Sequence, residues 1–205
     1  MNPSYDSGFW DQRYSQTDFV FGTAPNDFLA AVAPALPPGP VLCLAEGEGR
    51  NAVFLAARGH AVTAVDQSAV GLAKASALAA ARGVPLATVC ADLAAYPISP
   101  DAWAAVVVIF LHLPPPLRRT VLGRAAAGLR PGGALVIEVY TPAQLAHGSG
   151  GPRDAALLAT LADLRADLPD LVFEIGRELE RPVIEGTGHT GLAAVVQVLA
   201  RRPAA

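Results

Sequence analysis

From residue 41 onward, short apolar runs alternate with helix-forming segments, and few architectures accommodate that order. Pro37-Pro38-Gly39-Pro40 separates this region from what precedes it. Val41–Ala45 is an apolar run that stops at glycines, as a buried strand does. Asn51–Arg58 continues as a helix stopped by Gly59. Ala61–Val65 is a second strand ending at Asp66, and Ser68 is placed to cap a helix over Ala69–Arg82 that Gly83 ends. Leu86–Cys90 is a third strand, followed by Asp92. Ala104–Leu111 is the most apolar strand and suits the sheet centre. Pro114-Pro115-Pro116 opens a helix on which Leu117, Val121, Leu122, Ala125 and Leu129 recur at helical spacing. Arg130-Pro131-Gly132-Gly133 reads as a turn, Ala134–Tyr140 as a fifth strand and Pro152–Leu168 as a helix. Two strands near Leu171–Glu178 and Leu192–Leu199 close the chain.

Such alternation builds a largely parallel sheet with helices on both faces, an α/β, Rossmann-like doubly wound architecture. In these sheets ligands sit beyond the carboxyl ends of the strands, near the switch in strand order. The segments to search are therefore 45–51, 66–68, 91–93, 110–114 and 140–148.

Composition narrows the class. The 205 residues suit a single domain, with 1–38 as a helical lid or cap and 39–205 as the sheet core. Apolar residues at 52% and charged residues at 16% supply a sizeable core and argue against disorder. The net charge is −3, with fourteen scattered arginines and one lysine, Lys74. No basic stripe is present, which argues against a nucleic-acid partner. The longest apolar run, Ala102–Leu111, has ten residues, well short of the roughly 18–20 a membrane helix needs. The opening Met1–Asp6 lacks the pattern of a signal peptide. Cys43 and Cys90 lie inside apolar runs and read as core thiols of a reducing, cytoplasmic compartment, with no metal spacing.

The chemistry-bearing segment is Ala45-Glu46-Gly47-Glu48-Gly49-Arg50-Asn51-Ala52. Gly47 and Gly49 let a ligand approach the backbone, and Asp66, 17 positions after Gly49, can accept from ribose hydroxyls. A pyrophosphate would meet Glu46 and Glu48 in this loop, whereas a ligand carrying an ammonium and a sulfonium is favoured there. S-adenosylmethionine is such a ligand. Asp92 is positioned to accept from an adenine amino group.

Val41-Leu42-Cys43-Leu44-Ala45-Glu46-Gly47-Glu48-Gly49-Arg50-Asn51-Ala52 resembles the first motif of class I S-adenosylmethionine-dependent methyltransferases. Ala64-Val65-Asp66-Gln67-Ser68 resembles their second motif, Cys90-Ala91-Asp92-Leu93 their third, and Leu129–Leu135 the turn before their fifth strand. The Gly49-Arg50-Asn51 run and Phe9-Trp10-Asp11-Gln12-Arg13-Tyr14 look most like the tellurite-resistance and thiopurine methyltransferase branch. The resemblance covers roughly residues 5–201. It implies seven strands in the order 3-2-1-4-5-7-6 with an antiparallel last strand, and S-adenosylmethionine as cofactor. It implies a small acceptor, a soft nucleophile such as a thiol or a chalcogen oxyanion (tellurite or selenite). The implied cofactor residues are Ala45, Glu46, Gly47, Glu48, Gly49, Asn51, Asp66, Gln67, Ser68, Ala91, Asp92, Leu93, Phe110, Trp10 and Tyr14. Two departures stand out: Cys43 replaces the usual acid and Ala45 the usual glycine, and Glu46 is placed to substitute for the acid.

Three histidines are candidates around the acceptor. His112 ends the fourth strand, His147 sits in a glycine-rich loop after the fifth, and His189 lies among glycines and threonines before the last. The implied topology also brings Arg177, Glu178, Glu180, Arg181 and Glu185 over the pocket. Trp10, Tyr14 and Phe21 fit equally an aromatic lid or a hydrophobic staple for the N-terminal segment. Competing readings are a non-catalytic S-adenosylmethionine-binding domain and a nicotinamide-linked oxidoreductase. The expected partners are a small-molecule acceptor and no nucleic acid or membrane, in a monomer or homodimer.

Overall fold

A computed structural model describes residues 6–204; the expectation for Met1–Tyr5 lies outside the described residues. Seven strands form one sheet: β1 Pro40–Leu44, β2 Ala61–Asp66, β3 Ala87–Cys90, β4 Trp103–Ile109, β5 Leu129–Tyr140, β6 Val172–Glu185 and β7 His189–Arg201. Their order is β3-β2-β1-β4-β5-β7-β6. The first five are parallel, while β7 runs antiparallel to both β5 and β6. The strand order reverses between β1 and β4, so the ligand crevice lies at their carboxyl ends.

The alternation of side chains along each central strand explains why these runs are apolar throughout. Val41, Cys43, Ala105, Val107 and Val136 face one layer, where α2 (Asp27–Val32) and α3 (Arg50–Ala56) contribute Leu29, Val32, Ala52 and Leu55. Leu42, Leu44, Val106, Val108, Leu135 and Ile137 face the other, covered by α5 (Pro115–Gly128) and α6 (Leu161–Asp167) through Val121, Leu122, Ala125 and Leu164. α1 (Ser7–Tyr14) and α4 (Ala69–Ala81) complete the helices of the described residues. No helix among them is long and apolar enough to cross a membrane.

Several boundaries differ from the sequence reading. The Arg130–Gly133 segment is not a free turn: β5 begins at Leu129, with a register shift against β4 between Trp103 and Ala105. The 152–168 segment is not one helix. Ala155–Leu157 forms a 3-10 turn, Ala159 donates its N–H to Tyr140 O (3.2 Å), and α6 starts only at Leu161. Thr160 and Asp163 form a reciprocal capping box that fixes this start. β6 and β7 extend beyond expectation into a long hairpin that pairs from Val172–Arg201 to Glu185–His189. Cys43 is fully buried, as expected, but Cys90 is exposed because β3 is a short edge strand.

The N-terminal segment is strapped across the carboxyl edge of the sheet. Lys74 on α4 donates to Gln16 O (2.9 Å) and Asp18 O (2.7 Å), and its ammonium lies 4.8 Å from the Phe19 ring centroid. The same ammonium stands 2.5 Å from Glu48 Oε1 in an ion-pair contact, while Glu48 Oε2 accepts from Val20 N–H (2.8 Å). Val20 O in turn accepts from Gly188 N–H (2.9 Å) in the hairpin turn. Because Glu48 is nearly fully buried, removing its cation is expected to cost about 3 kcal/mol. Lys74→Ala should therefore lower the melting temperature. Hydrogen exchange at the amides of residues 14–21 should accelerate, with protection in β1 and β4 retained.

Candidate functional site

The loop after β1 is shaped by backbone geometry. Ala45 has φ +53°, a left-handed conformation that explains the glycine this position usually carries. Gly49, at φ +89°, begins α3, and a Cβ there would fall 2.5 Å from Ala75 Cβ, so the loop and α4 approach as only glycine permits. Glu46 folds back: its Oε1 accepts the N–H groups of Asn51 (2.9 Å) and Ala52 (2.7 Å), closing the first turn of α3. It also lies beside the Cys43 thiol, whose pKa is pushed up by burial and by Glu46. The carboxylate missing at 43 is thus supplied from 46 to the same neighbourhood.

The two acids of the loop have partners that sequence does not display. Glu48 turns to Lys74 and Val20, and Glu46 is occupied by α3. The expectation that both carboxylates attract a cationic ligand is corrected accordingly: their charge is largely spent within the protein. Burial pushes the Glu46 pKa up to about 7, against the lowering effect of its two backbone donors and of Arg50. Asp66 joins the loop to β2. Its Oδ2 accepts from Gly47 N–H (2.8 Å) and its Oδ1 from Ser68 N–H (2.8 Å). The Gln67 N–H is a third backbone donor to this carboxylate, which offers about four acceptor positions, so one is left for a ligand hydroxyl.

The remaining predicted cofactor residues fall along the same edge. Ser68 caps α4 by accepting from Gly71 N–H (3.0 Å) and donates its hydroxyl to Asp11 (2.5 Å), which anchors α1 there. Gln67 is half-buried between Asp66 and Ser68. Ala91 donates to Asp66 O (2.9 Å), and Leu93 packs against the α5 layer. Asp92 is exposed and accepts from Ala94 N–H (2.8 Å), a local turn bond. Asn51 accepts from Asn26 N–H (2.9 Å). Tyr14 lies against the glycine loop, its hydroxyl only 2.6 Å from where a Cβ on Gly47 would sit. Trp10 stacks on Tyr14 with centroids 5.5 Å apart.

The aromatic row continues across the crevice: Tyr14 meets Phe21, Phe21 meets His189 (4.5 Å), and His189 meets Phe110 (4.6 Å). Phe110 meets Tyr140 (4.6 Å), on which His112 stacks at 5.3 Å. Phe110 takes φ +54°, a strained conformation at the end of β4 that turns its ring into this cluster. Burial, with the nearby His189, lowers the His112 pKa to about 3, so its ring is neutral. The Leu157 main chain approaches that ring without forming a hydrogen bond of good geometry, and both ring nitrogens are buried and unpartnered. Tyr140 is fully buried with its hydroxyl also unpartnered. His147 is not part of the cluster: it pairs with Glu180 (3.0 Å) on the exposed face of β6.

Of the residues expected to overhang the pocket, Arg181, Glu185 and His189 converge and the others do not. Arg177 donates to Gln197 (3.0 Å), and Glu178 accepts from Leu161 N–H (2.6 Å). Glu185 Oε2 accepts from Arg50 (2.8 Å) and faces His189 Nδ1 (3.3 Å), while its Oε1 accepts from Asn26 Nδ2 (3.0 Å). Asn26 Nδ2 also donates to Glu138 (2.7 Å), which is fully buried and bound by Arg181 (2.5 Å) and Gln197 (2.5 Å). Arg13 Nε and Arg50 Nη1 are buried donors without partners among the described residues. Sequence reading passed over Asn26, Glu138, Arg50 and Arg13. Glu138 left a signal, a lone carboxylate inside the apolar run Val136–Tyr140; Asn26 left none.

These features fit an adenosyl ligand carrying an amino acid tail: a glycine turn at Gly47 with Tyr14 laid over it, a free acceptor position on Asp66, and Arg13 and Arg50 donors unpaired among the described residues. The apolar void between β4, β5, α5 and α6, lined by Val108, Leu111, Val121, Leu122 and Ile137, belongs to the core instead.

A sheet of this order with an acid-tipped β2 beside a glycine loop is the fold of the S-adenosylmethionine-dependent methyltransferases. Residues 41–133 match the family model described as a methyltransferase domain. Among solved structures, the chain is similar to the protein of "Conversion of a Disulfide Bond into a Thioacetal Group during Echinomycin Biosynthesis". The TM-score is 0.75 at 22% identity, over 96% of this chain and 92% of that one. It is similar also to the N-methyltransferase NodS from Bradyrhizobium japonicum WM9 in complex with S-adenosyl-L-homocysteine (TM-score 0.72, 14% identity, 96% and 98% covered). TehB from Haemophilus influenzae gives 0.71 at 18% identity, over 96% of this chain and 66% of that protein's length. No curated protein matches the sequence.

The Glu46 shift has a consequence for stability. Its pKa rises from 4.5 in a model compound to about 7 when folded, so its contribution is complete below about pH 4.5 and is lost as pH climbs through 7. Above that the buried charge costs up to about 3 kcal/mol. Glu46→Gln is expected to gain stability relative to the parent as pH rises from 5 to 8, in paired urea titrations. A pH-independent difference would contradict the burial assigned to this carboxylate.

Proposed function

We propose that the chain binds S-adenosylmethionine and transfers its methyl group to a small-molecule acceptor. The observation that carries this reading is the Gly47 N–H to Asp66 bond, which sets a ribose-type acceptor beside the glycine turn at the β1–β4 switch. Asp66, with Gln67 and Ser68, would hold the ribose. The segment Ala45 to Asn51 would hold the methionine end, and Ala91, Asp92 and Leu93 the adenine. Trp10 and Tyr14 would close over the ligand, and Phe110 would face the transferred group.

The cofactor supplies a sulfonium methyl group that is already activated. The protein's share is to align the acceptor, exclude water and set the charge around it. The Gly49-Arg50-Asn51 run and the Phe9–Tyr14 opening support placement in the tellurite-resistance and thiopurine branch, and hence a soft acceptor, thiol or chalcogen oxyanion. The scattered arginines support a small molecule rather than nucleic acid or membrane as partner. The two thiols, neither in a disulfide, suit a cytoplasmic location.

Calorimetric titration with S-adenosylmethionine, S-adenosylhomocysteine, NAD and NADP tests the reading. Micromolar binding of the first two alone is expected; binding of a dinucleotide instead would refute it. Asp66→Ala should weaken S-adenosylmethionine by about 10–100-fold, the value of one or two hydrogen bonds to a charged acceptor. Unchanged affinity in that variant would remove Asp66 from the ribose site.

A further inference from the structure

We infer that His189 is the general base of this site and that the acceptor is a nucleophile still protonated at neutral pH, a thiol or a hydroxyl. The inference rests on the methyltransferase reading and narrows its acceptor. It starts from Glu185. Burial alone would raise that carboxyl, but the hydrogen bond with His189 and the Arg50 guanidinium bring its pKa down to about 2. An ionised carboxylate only accepts, so His189 Nδ1, which faces it at 3.3 Å, must carry the ring proton. In the neutral ring the lone pair then lies on Nε2, to which no described residue is bonded.

The groups around the ring keep it neutral and fixed. Burial lowers its pKa, and the Arg50 and Arg13 cations lower it further against the opposing effect of Glu185; neutral His112 and the protonated Tyr140 are further titratable neighbours. Glu185 is itself fixed by Arg50, Asn26 and Arg181, so the imidazole is oriented by a carboxylate that has no freedom to turn. Phe21 and Phe110 flank the ring.

Tyr140 stands beside the ring with a hydroxyl that wants a partner. A Cβ on Gly150 would fall 2.6 Å from His189 Cδ2, 2.7 Å from Gly188 O and 3.4 Å from Tyr140 Oη, so only glycine lets this loop close on the imidazole and the phenol, whose ring centroids lie 5.4 Å apart. Burial, Glu185 and Glu138 hold Tyr140 protonated well above neutrality, and its buried hydroxyl has no acceptor. A thiol or hydroxyl that reaches both groups donates its proton toward Nε2 and accepts from Tyr140. An already ionised oxyanion would leave the lone pair of Nε2 facing a negative charge.

The step balances with these groups. As the acceptor atom bonds to the methyl carbon, its proton passes to Nε2, and the electron pair of the broken methyl–sulfur bond stays on sulfur. The imidazolium is held by Glu185 until the proton leaves to solvent.

The test uses the full chain with radiolabelled S-adenosylmethionine and three probes: 2-mercaptoethanol, catechol and selenite. Transfer to 2-mercaptoethanol or catechol is expected, with a rate that rises with pH through a single ionisation below 6.5. His189→Asn should lower kcat for that acceptor at least about 100-fold and abolish the ionisation, with S-adenosylmethionine binding unchanged. Glu185→Gln should keep cofactor binding and shift the ionisation. Nitrogen-15 NMR of the parent at pH 7 should show the His189 ring neutral with its proton on Nδ1. The inference is overturned by the Nε2-protonated tautomer, by turnover of selenite alone, by an acceptor whose kcat survives His189→Asn, or by no turnover of any probe while cofactor binds. Failure to bind S-adenosylmethionine would overturn the methyltransferase reading itself.

Discussion

The buried pair of Glu138 and Arg181 is the interaction on which the ligand edge depends. A fully buried carboxylate is costly unless every oxygen is occupied, and here Arg181, Asn26 and Gln197 share that task. The donors come from β6, β7 and the turn before α2, while the acceptor is on β5. Asn26 also caps α2 by accepting from Leu29 N–H (3.0 Å) and reaches Glu185 in the hairpin. Four separate pieces of chain are thereby held in one register at the carboxyl end of the sheet. The apolar layers below determine that there is a sheet; this network determines where Arg50, Glu185 and His189 stand upon it.

Above the network the packing is aromatic. The row from Trp10 to His112 links the first helix to the ends of β4 and β5, so the N-terminal segment is a wall of the crevice as well as an appendage. Two residues along the rim, Ala45 and Phe110, hold positive φ values without being glycine. Each costs about 1–2 kcal/mol, and each ends one of the two strands that flank the crevice. That strain persists because the loop on one side is tied to Asp66 and the ring on the other is wedged between Tyr140 and His189.

The parallel strands, the glycine loop and Asp66 were legible because strands buried on both faces must read as apolar runs, and their ends as glycine or aspartate; the strand order followed from the family resemblance alone. The hairpin was read too short for the opposite reason. Arg181, Glu185 and His189 are buried through pairing with one another, and a hydropathy pattern scores such residues as loop. The 152–168 helix was overread because its leucines keep helical spacing while Leu158 and Ala159 leave for the sheet. The charge of Glu48 was misjudged because its partner, Lys74, is brought to it only by the docking of α4 against the loop. His147 and His189 were both candidates in sequence, and the strand faces separate them.

Lys74 has a further significance through its solitude. It carries the one side-chain amine in 205 residues, and that amine is engaged by three carbonyls, a carboxylate and an aromatic face. Reagents that acylate side-chain amines therefore have a single target, reachable in proportion to the time the N-terminal strap spends undocked. The molecule carries a built-in reporter of its own closure, readable by mass spectrometry without introducing any probe.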